Sequence, residues 1–408
     1  MYRLSFLAIL VQSFSLLCQN NISEVEQKTF FSPKKIDSTY NYYLIESWEA
    51  LNLSTGNKNF SKGSSVNELS DSVIEFNLNL LDKTTPLDIR CTKEVKNIIS
   101  YYLKSNPDLL KRLKSRSRFY FPLFESALDR YNLPLELKYI PVIESALNPR
   151  AKSKAGATGL WQFMYATGKM QGLEIGSYVD QRMDPRLSTD AACRYLKKLY
   201  DIFQNWELAL AAYNAGPGNI TRAIRNSEGG KNYWEIRPYL SRETSNYIPS
   251  LISAIYVLQV VDHILINKSP SLLYLETDTV YAKNGIYFQD ITYLLSIDSS
   301  TISKLNPQFK HQYVPPPKNN ISYSLVIPKI KINEFYLLSD SLYSMAALRL
   351  EKTPLPPPLR AASGKTYIVR SGDTLSEIAQ KNKIKIQDLR RWNGIRGSKI
   401  RIGQKLKI

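Results

Sequence analysis

The sequence predicts a multidomain chain, with an all-α domain followed by small α+β modules of β-α-α-β order. Three observations carry this. Between residues 88 and 265 apolar side chains recur at three and four, and strand-like alternation is almost absent. Residues 364–408 read as a complete strand-helix-helix-strand unit. A fainter copy of that unit lies at 277–330. With 408 residues the chain exceeds one ordinary core, and at 43% hydrophobic composition most of it should fold.

Residues 1–19 have the pattern of an export signal. Arg3 supplies the positive start, and Leu4 to Leu17 is an apolar run too short to span a bilayer. Two processing routes stay open. Leu16-Leu17-Cys18 could serve as a poor lipobox, making Cys18 a lipid-bearing N-terminus on the outer membrane. Alternatively, ordinary signal cleavage would release a soluble periplasmic protein. Residues 20–87 are rich in Asn, Ser, Lys and Glu and are expected to be largely disordered or loosely packed.

Within 88–265, Val95, Ile98, Ile99, Tyr102 and Leu103 mark one helix, and Phe121 to Tyr131 a second. Pro134 fits a first-turn position, opening a helix through Leu137, Ile140 and Ile143 that Pro141 should kink or break. Asp184-Pro185 reads as a cap and first-turn proline before a helix carrying Ala191, Ala192, Tyr195, Leu196 and Leu199 on one side. Trp206 to Tyr213 continues the helical character, and Gly216-Pro217-Gly218 stops it. Thr244 to Val261 is a further apolar helix.

In the C-terminal unit, Lys365 to Arg370 reads as a strand. Leu375, Ile378 and Ala379 mark one helix, and Ile386, Leu389 and Trp392 mark another. Gly403 to Ile408 closes with a strand. Aligning Asn306 with Asn393 puts Phe288 on Leu375, Ile291 on Ile378 and Ile302 on Leu389. Residues 324–328 then take the place of the closing strand. Residues 331–363, ending in Pro354 and Pro356 to Pro358, are expected to be a linker after a short helix.

The chemistry concentrates between 141 and 249. Pro141-Val142-Ile143-Glu144-Ser145 is followed by Gly159-Leu160-Trp161-Gln162-Phe163, then Ala211 to Gly216, then Tyr247-Ile248-Pro249. One carboxylic acid, Glu144, sits among Ile140, Val142, Ile143 and Leu147. Desolvation there would keep it protonated and able to donate. In order and separation these segments resemble the lytic murein transglycosylases of the soluble-transglycosylase type, which share a lysozyme-like helical core. Residues 364–408 resemble a LysM domain. The resemblance covers roughly residues 90–408 and joins the two in the manner of the membrane-bound, LysM-bearing branch of the family.

The resemblance implies a peptidoglycan-cleaving enzyme. Glu144 would protonate the bond between N-acetylmuramic acid and N-acetylglucosamine, then take the proton of the muramoyl C6 hydroxyl as that hydroxyl closes a 1,6-anhydro ring. Ser145, Gln162, Tyr213, Asn214 and Tyr247 match positions expected to bind substrate. Ser145 could instead be a polar residue near a helix end, and Tyr247 could bond Glu144 or belong to the core. Of Trp161 and Phe163, at least one is expected in the core. Gly159 and Gly216 should permit tight turns. In the LysM, Asp373, Thr374 and Leu375 lie where a glycan groove is expected, with Asp373 also capping a helix.

Two other readings remain. A hydrolase of the goose-type kind would need a second carboxylate, for which Asp180, Asp184 and Asp190 are the candidates. A catalytically silent wall-binding protein would not need Glu144. Lys and Arg outnumber Asp and Glu by 54 to 36, a balance of +18 that favours an anionic partner. For an exported chain this points to peptidoglycan or lipid rather than nucleic acid. The two histidines, His263 and His311, neighbour no cysteine or carboxylate cluster, so neither a metal nor another cofactor is expected. Cys91 and Cys193 are expected as free, buried thiols.

Overall fold

The computed structural model describes residues 70–259, 276–317, 322–355, 365–395 and 397–408. The export signal, Cys18, His263, residues 20–69 and the proline run from 356 lie outside the described residues. The chain divides into two compact units. Among the described residues, the first takes 70–164 and 185–259. The second takes 165–184 together with the C-terminal modules.

The first unit opens with α1 (Asp71–Asp82), which corrects the expectation of loose packing throughout 20–87. Ile74, Leu78 and Leu81 fall at helical spacing and are buried, so this stretch does have an apolar face. Thr92 caps α2 (Lys93–Ser100) by accepting from the Val95 N–H. Lys96 of α2 reaches Asp71 of α1 at 3.2 Å. The helix expected through Leu103 continues as a π-turn over Tyr101–Ser105. Asn106 then caps the long α3 (Pro107–Arg130), whose first-turn Pro107 needs no donor there.

Pro141 breaks its run as expected. Residues Leu135–Tyr139 form a 3₁₀ turn, and α4 (Ile140–Ser145) restarts with Pro141 as its second residue. The chain then enters the second unit with α5 (Tyr165–Met170) and returns at α6 (Pro185–Phe203), which packs on α3. Asn205 caps α7 (Trp206–Ala215). Ala209, Leu210, Ala211 and Ala212 are all fully buried, so this helix runs through the middle of the unit. Gly216 at φ +87° turns the chain directly into α8 (Pro217–Asn226), and α9 (Tyr233–Ile236) follows. The apolar α10 (Tyr247–Gln259) is buried on every side and packs on α2, α4 and α7. Among the described residues, no helix is long and apolar enough to cross a membrane.

In the second unit, β1 (Thr277–Tyr281) and the two-residue β2 (Ile286–Tyr287) precede α11 (Phe288–Leu295) and α12 (Ser299–Leu305). β3 (Tyr313–Val314) pairs antiparallel with β2. β4 (Ser324–Pro328) pairs antiparallel with β1, with Thr277 opposite Pro328. Where a short helix and then a linker were expected from 331, the chain forms two helices, α13 (Ile332–Leu337) and α14 (Ser339–Lys352). Phe335 and Leu342 are fully buried in the module core, so this stretch belongs to the module and its proline-rich end comes later. Asp290, fully buried on α11, takes the guanidinium of Arg349 on α14 at 2.5 Å.

Residues 165–184 join that same core. Val179 is buried there and bridges Phe309, while Tyr178 packs beside it. The Asp180 N–H donates to the Gln308 carbonyl, and the Lys310 N–H to the Tyr178 carbonyl. The Tyr323 hydroxyl donates to Glu174 at 2.9 Å. The spacing of apolar residues gives no warning of this excursion, because the chain leaves and re-enters a helical region.

The last module pairs β5 (Thr366–Ile368) with β6 (Lys405–Lys407) around α15 (Leu375–Lys381) and α16 (Ile386–Trp392). Asn393 joins the end of α16 to β6. Its Nδ2 donates to the carbonyls of Leu389 and Lys407, and its Oδ1 accepts from the Lys407 N–H. Asn306 does the same between α12 and β4, bonding Ile302, Val326 carbonyl and Val326 N–H. Phe288, Ile291 and Ile302 are buried, like Leu375, Ile378 and Leu389 opposite them in the alignment.

Candidate active site

Glu144 is the fifth residue of the six-residue α4. The chain turns sharply behind it. Ala146 and Leu147 both adopt left-handed backbone, with φ of 51° and 55°. For residues with side chains such a conformation costs about 1–3 kcal/mol each and persists only where surroundings hold it. The holding groups are the Leu147 N–H on the Pro141 carbonyl and Arg116, which donates to the Ala146 carbonyl at 2.8 Å. The acid therefore sits at the very end of a short, pinned helix.

The Tyr247 hydroxyl, at the start of α10, donates to Glu144 Oε1 at 2.7 Å. Burial lifts the Glu144 carboxyl from its ordinary value near 4.5 to about 7, the Tyr247 bond pulls it down, and the negative charge of Glu243 adds to the rise. Burial, and then the charge of Glu144, pushes the Tyr247 hydroxyl well above its ordinary range. Tyr247 thus remains a donor whichever form the acid takes.

The segment Gly159–Phe163 walls one side of α4, which it meets at Ser145. Gly159 at φ +91° and Gln162 at φ +48° make the tight turn, and Gln162 is a non-glycine in a conformation suited to glycine. The Gln162 side chain offsets that by donating from Nε2 to the Gly159 carbonyl at 2.9 Å. Ser145 Oγ lies 2.9 Å from both the Pro141 and the Leu160 carbonyls. Its one hydroxyl proton has an acceptor in α4 itself and another in the Gly159–Phe163 segment. The buried Tyr213 hydroxyl donates to the Trp161 carbonyl at 2.7 Å, which gives it a similar bracing role. Trp161 and Phe163 are both core. Trp161 is fully buried, with its indole N–H on Thr189 of α6 at 2.9 Å.

Asn214, in the last turn of α7, is half-buried, and its Oδ1 accepts from Thr244 Oγ1 at 2.9 Å. In the sequence Thr244 is only the start of an apolar helix; the structure puts Thr244–Asn246 in a 3₁₀ turn and begins α10 at Tyr247. Asp180 and Asp190, weighed as second carboxylates, carry arginine partners. Asp180 is buried against Arg182 at 2.8 Å, and Asp190 meets Arg130 at 2.9 Å. Cys91 and Cys193 are free thiols. Cys193 is buried and Cys91 only partly so.

The three LysM residues belong to the second unit and Glu144 to the first. Asp373 does not cap α15. Its carboxylate accepts from the Tyr367 hydroxyl and the Arg370 N–H. Thr374 makes the cap, in a reciprocal capping box with Glu377. Leu375 is buried in the module core, so its side chain faces inward.

A helical core that seats one desolvated glutamate against a tyrosine hydroxyl, followed by LysM modules, defines a peptidoglycan lytic transglycosylase. The comparisons agree. Residues 122–236 match the Transglycosylase SLT domain, 276–344 the Lytic transglycosylase MltD, LysM-like domain, and 367–408 the LysM domain. Membrane-bound lytic murein transglycosylase D of Escherichia coli K12 is 30% identical over 323 residues, covering 75% of this chain and 67% of that one. The soluble lytic murein transglycosylase of the same organism is 35% identical over 147 residues, 33% of this chain and 22% of that one. Among solved structures, the 70 kDa soluble lytic transglycosylase of Escherichia coli matches at 25% identity and TM-score 0.32, over 48% of this chain and 32% of that one. The chain belongs to the lytic murein transglycosylase family, in the branch of membrane-bound lytic murein transglycosylase D.

Proposed function

We propose that Glu144 serves as both acid and base in a non-hydrolytic cleavage of the glycan strand. The observation that carries this is the single carboxyl lifted to about 7 and bonded by a hydroxyl that stays protonated. At neutral pH a substantial fraction of Glu144 holds a proton to give to the glycosidic oxygen. The carboxylate left behind keeps the Tyr247 bond, which strengthens as charge develops on the oxygen. It then draws the proton of the muramoyl C6 hydroxyl, whose oxygen attacks C1 and closes the 1,6-anhydro ring. The C1–O bond to the leaving sugar breaks, that sugar keeps the donated proton, and Glu144 ends protonated. Water takes no part, and the intramolecular attack gains from proximity.

Gln162, with Nε2 committed to its own loop, would offer Oε1 to the glycan, and Asn214 would offer its Nδ2. Ser145 and Tyr213 would act by bracing the wall rather than by touching sugar. In the LysM, Thr374 and the backbone around Asp373 and Leu375 would form the glycan contact. Residues 1–19 would direct export into the cell envelope, in keeping with relatives named as membrane-bound. Mass analysis of the mature N-terminal peptide separates a lipid on Cys18 from plain signal cleavage.

The competing reading is a hydrolase, and Glu243 is the observation that favours it, since its charge acts on Glu144. Digestion of purified sacculi separates the two. Anhydro-muramoyl ends, abolished in Glu144→Gln, support the lytic reaction. Reducing ends with one added water would move the assignment to hydrolysis, and undiminished release by Glu144→Gln would remove Glu144 from the chemistry.

A further inference from the structure

We propose that Thr244 is a positioning residue that fixes Asn214 as a hydrogen-bond donor toward an acceptor oxygen of the glycan. This rests on the reading that Asn214 contacts the substrate.

An asparagine amide can present either its oxygen or its NH₂ to a site, because a half-turn exchanges the two. A protein that needs one of them must spend a partner on the other. Thr244 is that partner. It lies 30 residues beyond Asn214, in a 3₁₀ turn (Thr244–Asn246) just before α10, and it is almost fully buried. Its Oγ1 donates to Asn214 Oδ1 at 2.9 Å. A threonine hydroxyl has one proton, and this bond uses it. The neighbouring Ser241 hydroxyl, 2.9 Å away, therefore donates to Thr244 rather than accepting from it. A chain of hydrogen bonds runs from Ser241 through Thr244 to the Asn214 carbonyl oxygen, with the Nδ2 group turned the other way.

Thr244 is itself held by bonds that do not depend on its side chain. Its carbonyl accepts from the fully buried Tyr233 hydroxyl at 3.1 Å, and its N–H donates to Ser241 Oγ at 3.3 Å. Removing the hydroxyl should thus leave the turn in place and free the amide to rotate. The commitment of this oxygen to an almost fully buried hydroxyl is what distinguishes the arrangement from a surface asparagine beside a threonine.

The test uses the full-length enzyme and a soluble tetrasaccharide of alternating N-acetylglucosamine and N-acetylmuramic acid. Thr244→Val, close to isosteric, should raise KM roughly three- to tenfold, the range expected for weakening one neutral hydrogen bond to substrate. The position of the pH–rate limb should stay where it is. Thr244→Ser, which keeps the hydroxyl, should restore KM. In an Asn214→Ala background, Thr244→Val should add nothing. Asn214→Asp keeps an acceptor for Thr244 but has no NH₂, so it should raise KM at least as far as Asn214→Ala does. Equal penalties for Thr244→Val with and without Asn214 would overturn the proposal, as would a Thr244→Ser enzyme no better than Thr244→Val. Wild-type kinetics in both Asn214 variants would instead remove the substrate contact on which the proposal rests. Should Thr244→Val fold poorly by thermal melt, the Asn214→Asp and Thr244→Ser measurements still decide.

Discussion

At the scale of the residue, Glu144 links reactivity to stability. Its carboxyl is raised in the folded protein from near 4.5 to about 7. Between those values the folded chain binds more protons than the unfolded one, so this group's contribution to stability falls as pH rises through that window. The loss is complete above about pH 7 and amounts to at most about 3 kcal/mol. Glu144→Gln should therefore be inactive yet more stable than wild type at pH 8, and about equal at pH 4. Urea unfolding at both pH values checks this, and parallel curves would contradict the raised carboxyl. Activity should fall as pH rises through about 7, because the donor is then ionised. Tyr247→Phe removes the one bond that lowers the Glu144 value, so the alkaline limb of kcat/KM should move to higher pH while kcat drops roughly tenfold or more. The contact of Tyr247 with Glu144 was legible in sequence, the carboxylate as a local signal in an apolar helix and the tyrosine through the family resemblance of its Tyr-Ile-Pro segment. The partners of Ser145, Tyr213 and Thr244 were not legible, since which carbonyl or amide a hydroxyl meets depends on segments far apart in the chain.

At the scale of the element, the internal repeat was legible and the linker was not. Asn306 and Asn393 make equivalent bonds, and the apolar residues aligned around them are buried in both modules. The second helix of 332–352 was hidden because Pro354 and Pro356 to Pro358, just beyond it, mark a linker and draw its boundary too early. Leu342, Ala346 and Arg349, at four and three, nonetheless mark one face of α14. Arg349 gives that face its anchor, because Asp290 is fully buried and its Oδ1 accepts from both Nε and Nη2 of Arg349, while its Oδ2 meets no hydrogen-bond partner. Arg349→Met should destabilise this module by about 3–5 kcal/mol, the cost of leaving a buried carboxylate uncompensated. Hydrogen exchange across residues 277–352 reads the effect. A change below about 1 kcal/mol would return the stretch to the status of a linker.

At the scale of the whole molecule, catalysis and wall attachment separate experimentally. Deleting residues 365–408 should lower the rate on insoluble sacculi by roughly 10- to 100-fold, the gain that tethering provides. Turnover of a soluble tetrasaccharide should stay unchanged. Equal losses on both substrates would mean that the LysM supports the fold instead of holding the enzyme at its polymer. Residues 365–408 carry +9 of the balance of +18, so about half of the salt-dependent attraction to an anionic polymer should go with the module.

Residues 165–184 make the chain less modular than its order of segments suggests. During synthesis on the ribosome this strap emerges long before the strands and helices whose interior it completes. Until they follow, Val179 has no apolar surroundings. A version cut after α10 would leave the strap bare and inclined to aggregate. Recombination that traded the neighbouring module for another would have to replace two separated pieces of gene at once.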